Sequence, residues 1–292
     1  MRETLKQSKF HRILFGEFHR NLKISDFDIG IFFTVTFLSL FGVVMIASVT
    51  IPLTDGSLSM TFNHIVKLIL SIFIGLLIFR VSLSTWKKID IFLIIFSFFL
   101  LTLVFFPFIG FEANGASRWI RILGFSFQPS ELMKFSLIIY ISSYCFRRMT
   151  EFKEKWLGFW KPVLVVISAI ALVLVEPDLG SSAVIFLISL TIMFIAGAPL
   201  KQMLIIFFMG LSVFISMILL VPWRMNRILS FVDPWSNYGE SGYQLSQALI
   251  AFSRGDLFGV GLGESLQKYH YLPDAQTDFI FAIIAEELGL IF

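Results

Sequence analysis

Apolar runs of membrane-spanning length recur along this sequence and constrain its fold more than any other feature. A bilayer core takes about 20 apolar residues in helical form, because a helix rises about 1.5 Å per residue and satisfies its own backbone hydrogen bonds. With 57% hydrophobic and only 15% charged residues, the composition is not that of a soluble protein. We predict an all-α, polytopic membrane helix bundle with seven complete spans and an unfinished eighth. The predicted spans are 29–47, 65–79, 91–108, 130–146, 163–175, 181–198, 203–221 and 279–292.

Lysine and arginine residues collect on one side of the predicted bundle. They are frequent in the tail 1–27 and in segment 147–161, whereas the loops 48–63 and 176–180 have none. Because short loops rich in these residues stay in the cytoplasm, we predict a cytoplasmic N-terminal tail without a removable signal peptide. The outer segments would then be 111–129, 176–180 and 222–278.

The last predicted span is short and contains two carboxylates. It comprises about fourteen residues, 279–292, and carries Glu286 and Glu287 at membrane depth. Carboxylates inside a bilayer are costly unless they have partners or line a polar cavity. We therefore expect both either to have partners or to line a polar cavity, and we expect the transmembrane domain 28–292 to be truncated at its C-terminus.

The outer loop 222–278 is much longer than most connections, and such loops are commonly functional. Part of it has helical periodicity, for which Ser241 is the predicted N-cap. The apolar residues on one face of this predicted helix are Leu245, Ala248, Leu249 and Phe252. Short amphipathic helices lying on the membrane or on the other spans are expected here.

Three residues of segment 111–134 are candidates for binding an anionic or lipid-borne group. Arg118 and Trp119 are of the types that meet lipid phosphates and the membrane interface, and an aromatic anchor with snorkelling arginines is the structural alternative. Lys134 falls inside the fourth predicted span. It is either a buried anion contact or a lysine that snorkels to the interface.

Carboxylates mark two further outer positions. Glu176 and Asp178 occupy a corner broken by proline and glycine, where they would orient a cation or a substrate hydroxyl, or cap the helix that follows. Asp278 precedes the last span. It is a candidate for chemistry, and the alternative is that Thr277 or Asp278 caps that helix. The single cysteine, Cys145, excludes a disulfide framework.

Several motifs together resemble the SEDS (shape, elongation, division and sporulation) family of bacterial membrane proteins, and its cell-division branch most. They read "NGASRWI", "QPSELMK", "EPDLGSS", "DPW" and "GYQLSQALIAFSRGDLFGVGLGESLQKYHYLPDAQTDFIFAIIAEELG". The resemblance extends from about Asp28 to the end of the sequence. Asp274 and Gln276 stand where Glu and His are more usual, and Ser126 occupies a position that is basic in some relatives. Family members typically carry ten spans.

The resemblance implies a peptidoglycan glycosyltransferase that polymerises lipid II at the outer face of the bacterial cytoplasmic membrane during septal wall synthesis. It implies that Asp278, in "TDFIF", is the catalytic residue. The implied partners are a class B penicillin-binding protein, other division proteins and lipid II, but no nucleic acid. Two other functions remain as alternatives: a lipid II flippase, and a non-catalytic scaffold that activates the penicillin-binding protein.

The implied chemistry needs one base and positive charge. A diphosphate leaves without a protonating acid if its charge is stabilised, so one carboxylate, Asp278, suffices as general base. No cofactor is certain, and a divalent cation such as Mg²⁺ or Mn²⁺ is an alternative to protein cations. The candidate cations are Arg118, Lys134, Arg224, Arg227 and Lys268. The expected substrate-binding residues are Lys134, Arg118, Trp119, Glu176 and Lys268.

Overall fold

The computed structural model describes residues 28–54, 56–106, 110–113, 116–122, 125–239 and 241–291, so the predicted tail 1–27 lies outside the described residues. Helices dominate, with a small sheet after the third helix. The helices are α1 Ile29–Leu53, α2 Ser59–Phe79, α3 Leu83–Leu103, α4 Pro129–Arg147, α5 Met149–Glu154, α6 Trp156–Val175, α7 Leu179–Ile195, α8 Leu200–Leu219, α9 Pro222–Val232, α10 Tyr243–Gly255 and α11 Ile280–Leu288. The strands are β1 Gly110–Ala113, β2 Ala116–Ile122 and β3 Phe125–Phe127.

The long helices have the dimensions of membrane spans. Within the described residues, four of them (α1, α2, α6 and α8) are both long and apolar enough to cross a bilayer. The apolar helix α7 is shorter, at 17 residues, while α3 and α4 have 21 and 19 residues and carry charged side chains. The all-α class is therefore confirmed. The count of seven complete spans stays a prediction.

A three-stranded antiparallel sheet in the order β1–β2–β3 is an addition to the predicted helix bundle. Arg121 pairs with Ser126, and Ile120 with Phe127. In β2 the side chain of Ile120 is buried while those of Ser117 and Arg121 are exposed. This alternation has the period of two that a strand imposes on its side chains.

Residues 74–226 form one compact unit, here called the central unit. Its helices α3 and α4 are joined by a buried hydrogen bond of 2.6 Å between the hydroxyls of Ser97 and Ser136. Hydroxyl pairs of this kind link apolar helices where water is scarce. The core of the unit includes Leu101, Met133, Leu137, Ile141, Phe152, Phe159, Val166, Ala169, Ile185 and Met193.

Helix α6 begins at Trp156, seven residues before the predicted start of the fifth span, and it contains Pro162 in its interior. A proline has no N–H to donate to the carbonyl four residues earlier, here that of Gly158. The hydroxyl of Tyr144 donates to this carbonyl instead, at 2.8 Å. The orphaned acceptor is thereby satisfied, and the helix continues through the proline.

The described residues up to Phe73 and from Arg227 onward form a second compact unit, the terminal unit. In it α10 and α11 approach closely, since a Cβ on Gly255 would lie 2.0 Å from the carbonyl oxygen of Ala285. Only glycine fits at this position. The core of the unit comprises Met45, Val49, Ala248, Ala251, Leu272, Ala275, Ala282 and Ile283.

Two boundaries in the terminal unit differ from the predicted ones. Gly242, not Ser241, is the N-cap of α10, because the Ser241 hydroxyl contacts that of Ser230. The last predicted span, 279–292, is a helix of nine residues that ends at Leu288. Gly289 then adopts a φ of +83°, which turns the chain so that the Leu290 N–H donates to the carbonyl of Asp256 at 3.0 Å.

Close packing at Gly158 supports a stability prediction. A Cβ there would lie 2.0 Å from the backbone oxygen of Glu151, whereas one at Gly42 meets nothing within 4 Å. We expect Gly158→Ala to destabilise the protein by about 1–3 kcal/mol, as overpacking typically does. Gly42→Ala should be neutral or stabilising, because alanine favours helices. Thermal midpoints in detergent test this, and equal midpoints for the two variants would contradict the packing described.

Candidate active site

The carboxylate of Glu286, on α11, is fully buried and surrounded by donors. The Arg254 guanidinium lies 2.6 Å from its Oε1, and the Leu266 N–H donates to the same oxygen at 3.1 Å. The Ser265 hydroxyl and the Gln267 N–H donate to Oε2. The network ties α11 to the last turn of α10 and to segment 265–267. Of the two expected settings, partners or a polar cavity, this carboxylate has partners.

Its neighbour Glu287 forms a buried ion pair with Lys268. The Lys268 Nζ lies 2.9 Å from Glu287 Oε1, and the exposed fraction of both side chains is 0%. The Ser48 hydroxyl of α1 donates to the same carboxylate at 2.8 Å, and Lys268 Nζ also donates to the Gly263 carbonyl. Three sequence-distant segments meet at this pair.

Lys268 was expected to contact the substrate diphosphate, but its ammonium is buried in an ion pair within the protein. A buried ammonium is costly unless it has a counter-charge and acceptors for its donors, and Glu287, Ser48 and Gly263 supply them. The side chain is buried within the terminal unit, and its ion pair links the segment 263–268 to α11.

The segment that follows Lys268 is held in place by buried side chains and by backbone hydrogen bonds. Leu272 and Ala275 are each only 2% exposed, within the core of the terminal unit. The Leu272 N–H donates to the Gln267 carbonyl at 2.9 Å. The N–H groups of Thr277 and Phe279 both donate to the carbonyl of Asp274, whose φ is +55°. The backbone next to Asp278 is therefore held in place.

Asp278 is exposed and makes no hydrogen bond or ion pair with the part of the chain that the structure describes. Helix α11 begins at Ile280, with Phe279 as its N-cap and no capping side chain. Neither Thr277 nor Asp278 caps it, so the alternative of a structural cap is not supported. The result is a free carboxylate displayed by an anchored turn.

In the central unit, Arg118 binds backbone carbonyls at the C-terminal end of α6. Its Nε donates to the carbonyl of Glu176 at 3.0 Å, and its Nη2 to that of Pro177 at 2.6 Å. A cation at this position also complements the negative end of the helix dipole. Trp119, the next residue of β2, is half-buried. Arg118 thus has a structural contact besides its candidate role.

The Glu176 carboxylate is buried, and neither of its oxygens has a hydrogen-bond partner among the described residues. It follows α6 and lies outside both α6 and α7. Burial, and then the charge of Asp178, raise the pKa of Glu176 to about 8, although Arg118 opposes this. The carboxyl is accordingly neutral near neutral pH.

The other two candidates of the central unit have partners of their own. Asp178 caps α7 by accepting from the Ser181 N–H at 2.9 Å, which confirms the capping interpretation, and it accepts from the Gln128 side chain at 2.9 Å. Lys134 pairs with Glu131, one turn earlier on α4, at 2.6 Å. The Lys134 side chain is 19% exposed, so it is partly buried with a carboxylate beside it.

Sequence reasoning missed Arg254 and Ser48 as partners of the last two carboxylates. The only signal in the sequence was the need of Glu286 and Glu287 for partners.

Within the described ranges, no three His, Cys, Asp or Glu side chains gather as a metal cluster.

These features define a class: a multi-pass membrane protein that displays an exposed carboxylate, unengaged by the described residues, just before a short apolar helix. The family model "Cell cycle protein" for FtsW, RodA and SpoVE matches residues 29–291. The chain belongs to this family.

Two curated relatives are named "Probable peptidoglycan glycosyltransferase FtsW". The one from Aliivibrio salmonicida is 41% identical over 269 residues, covering 91% of this chain and 67% of the relative. The one from Saccharophagus degradans is 43% identical over 268 residues, covering 90% and 69%. The identities hold over most of the described chain.

Solved structures show the same fold at lower identity. A chain of a peptidoglycan synthase complex, described as coordinating polymerization and crosslinking, matches with a TM-score of 0.69 and 24% identity over 91% of this chain and 72% of that one. The rod shape determining protein RodA of Thermus thermophilus matches with a TM-score of 0.55 and 24% identity, over 66% and 60%.

The buried pair supports a double-mutant prediction. Lys268→Met leaves Glu287 buried without its counter-charge and should cost about 3–5 kcal/mol. In the double variant with Glu287→Gln, the uncompensated charge is gone, so much of this loss should be recovered. Thermal midpoints of the single and double variants in detergent measure the coupling. Additive losses would show that the two side chains do not interact.

The buried Glu176 predicts a dependence of stability on pH. The pKa of Glu176 is about 8 in the folded protein and about 4.5 in the unfolded chain. The part of the free energy of unfolding that comes from its protonated carboxyl is therefore fully present below about pH 4.5 and is lost as the pH rises towards 8. The permanently neutral Glu176→Gln should match the wild type near pH 5 and have a higher thermal midpoint at pH 8.5. The exposed Glu264→Gln is the matched control. Parallel curves for all three proteins would argue against a buried, raised Glu176.

Proposed function

We propose that this protein is a peptidoglycan glycosyltransferase that polymerises lipid II into glycan strands at the outer face of the bacterial cytoplasmic membrane. The observation that carries the proposal is the free carboxylate of Asp278 on its anchored turn. Family membership and the names of the relatives at about 40% identity support it.

Asp278 acts as general base in the proposed reaction. The hydroxyl oxygen of one sugar attacks the anomeric carbon of the other, the bond from that carbon to the diphosphate breaks, and the proton passes to the Asp278 carboxylate. A positioned base of this kind contributes about 10²–10⁴-fold to a rate. Exposure leaves the carboxylate free to reach a lipid-borne sugar.

The leaving diphosphate needs positive charge. Lys268 is withdrawn from this role by its pair with Glu287. Lys134 and Arg118 remain the proposed anion contacts of the central unit, with Trp119 and Glu176 as its other substrate-binding candidates. A divalent cation such as Mg²⁺ or Mn²⁺, held by the oxygens of the diphosphate, would supply the same positive charge and leave Asp278 free to act as the base.

The proposed setting is the division septum, with a cytoplasmic N-terminus and a class B penicillin-binding protein as partner, alongside other division proteins. The positive-inside distribution of lysine and arginine supports the orientation. The solved complex of similar fold, which couples polymerization and crosslinking by its own description, supports the kind of partner.

The flippase alternative loses one of its supports. It requires polar groups that line a path through the bilayer, and Glu286 and Glu287 were the intramembrane candidates. Both are taken up by partners in the terminal unit. The scaffold alternative predicts that the Asp278 carboxylate is dispensable, which the following experiment measures.

Polymerisation of purified lipid II, with the partner penicillin-binding protein and moenomycin present to silence conventional transferases, tests the proposal. Asp278→Asn removes the base and keeps the shape, so polymer should fall at least about 100-fold. The matched control is Asp274→Asn, an exposed carboxylate of the same turn, where asparagine tolerates the positive φ. It should retain activity.

The two variants together separate the outcomes. Loss in Asp278→Asn alone, with an unchanged thermal midpoint, supports catalysis by that carboxylate. Polymer formation by Asp278→Asn at the wild-type rate would overturn its role as base and favour the flippase or scaffold. Equal loss in both variants would indicate damage to the turn and would also count against a specific role for Asp278.

A further inference from the structure

The basic end of the central unit contains a pocket, lined largely by charged and tyrosine side chains, that the proposed reaction does not use. It lies where α4, α5 and α6 meet, has a volume of about 730 Å³, and is lined in part by Tyr140, Tyr144, Arg147, Arg148 and Lys161. The distribution of lysine and arginine predicts that this end faces the cytoplasm. Asp278 belongs to the other unit.

The walls of the pocket are built by tight packing. Phe152 of α5 is fully buried, with its ring centroid 5.8 Å from that of Phe159 on α6. The Tyr144 hydroxyl of α4 donates to the Gly158 carbonyl of α6 at 2.8 Å. Gly158 in turn lies against the backbone of Glu151. The three helices therefore hold the pocket in a preformed shape.

Two carboxylates hold three cations at this pocket. Arg147 binds the buried Asp90 through both of its terminal nitrogens, at 2.6 and 3.2 Å. Glu151 accepts from Lys161 at 2.6 Å and from Arg148 at 2.7 Å. These two hydrogen bonds, to Lys161 first and then to Arg148, lower the pKa of Glu151 to about 2, so it stays ionised. The three cations and two carboxylates together carry a net charge of +1.

The cations keep donors for a further acceptor. The side chains of Arg148 and Lys161 are 58% and 51% exposed, and that of Arg147 is 41% exposed. A guanidinium has five N–H donors and an ammonium has three, more than the carboxylates engage. A phosphate oxygen that enters the pocket would meet these remaining donors with charge assistance.

Apolar and aromatic side chains accompany these cations along the same helices. Trp156 and Leu157, at the start of α6, are 57% and 71% exposed. The ring centroid of Trp156 lies 5.4 Å from that of Trp160. Phe146, which precedes Arg147, is 42% exposed. Tryptophan is typical of the membrane–water interface, where headgroups lie, and exposed Leu and Phe suit acyl chains.

We propose that this pocket binds the phosphate of an anionic phospholipid headgroup from the cytoplasmic leaflet. Basic pockets between spanning helices on the cytoplasmic side recognise such headgroups through charge, and the neighbouring apolar surface favours a lipid over a free phosphate. The binding secures the inner end of α4–α6 to the membrane. It rests on the predicted orientation and is independent of transferase activity.

Native mass spectrometry of the purified protein, titrated with phosphatidylglycerol and separately with phosphatidylcholine, tests the site. The triple variant Arg148→Gln, Glu151→Gln, Lys161→Gln removes two cations and one carboxylate, so the net charge falls by one, and it leaves the Arg147–Asp90 pair intact. Lys201→Gln, at an exposed position in the first turn of α8, changes the net charge equally at a distant site. Arg148→Gln alone, which keeps the Lys161–Glu151 pair, serves if the triple variant is unstable.

The expected result is a rise of about tenfold or more in the Kd for phosphatidylglycerol in the triple variant and about threefold in Arg148→Gln. Lys201→Gln should bind as the wild type does, and phosphatidylcholine should bind weakly to all. Wild-type affinity in the triple variant, or an equal loss in Lys201→Gln, overturns the site. Displacement of the lipid by equimolar inorganic phosphate would identify a free-phosphate site and likewise overturns the proposal.

Discussion

The buried ion pair between Lys268 and Glu287 is the interaction on which the terminal unit depends. An ammonium and a carboxylate with no exposed surface are tolerated only because each neutralises the other and Ser48 and Gly263 complete their hydrogen bonds. The pair fixes the loop before Lys268 to α1 and α11. The segment between Lys268 and α11, which carries Asp278, is therefore held in place at both of its ends.

Three carboxylates illustrate how environment separates roles. Glu286 is buried with four donors around it and serves the fold. Glu176 is buried without a hydrogen-bond partner among the described residues, and its pKa of about 8 keeps the carboxyl largely neutral near pH 7. Asp278 is exposed and unengaged by the described chain, so it alone of the three is free to contact a substrate. Differences of this kind assign acid, base and structural functions to chemically similar groups.

The apolar helices were predictable because their signal is local. The predicted span 130–146 and the observed α4, Pro129–Arg147, agree within a residue at each end, since Pro129 starts the helix and charged residues bound it. The prediction failed where a distant group changes the local rule. Helix α6 passes through Pro162 because Tyr144, from another helix, satisfies the freed carbonyl. The sheet at 110–127 depends on pairing between short strands, which single-strand patterns indicate weakly.

The sequence by itself determined that this is a membrane helix bundle, where its cations collect, and that Asp278 stands beside an apolar run within a family motif. Hydrophobic periodicity and charge distribution are properties of neighbouring residues, so they can be read along the chain. Only the tertiary structure decided that Lys268 is a buried counter-ion, that Arg118 binds the carbonyls at the end of α6, and that no described residue engages the Asp278 carboxylate. Those outcomes depend on partners as far apart as Ser48 and Glu287, separated by 239 positions, which folding alone brings within 2.8 Å.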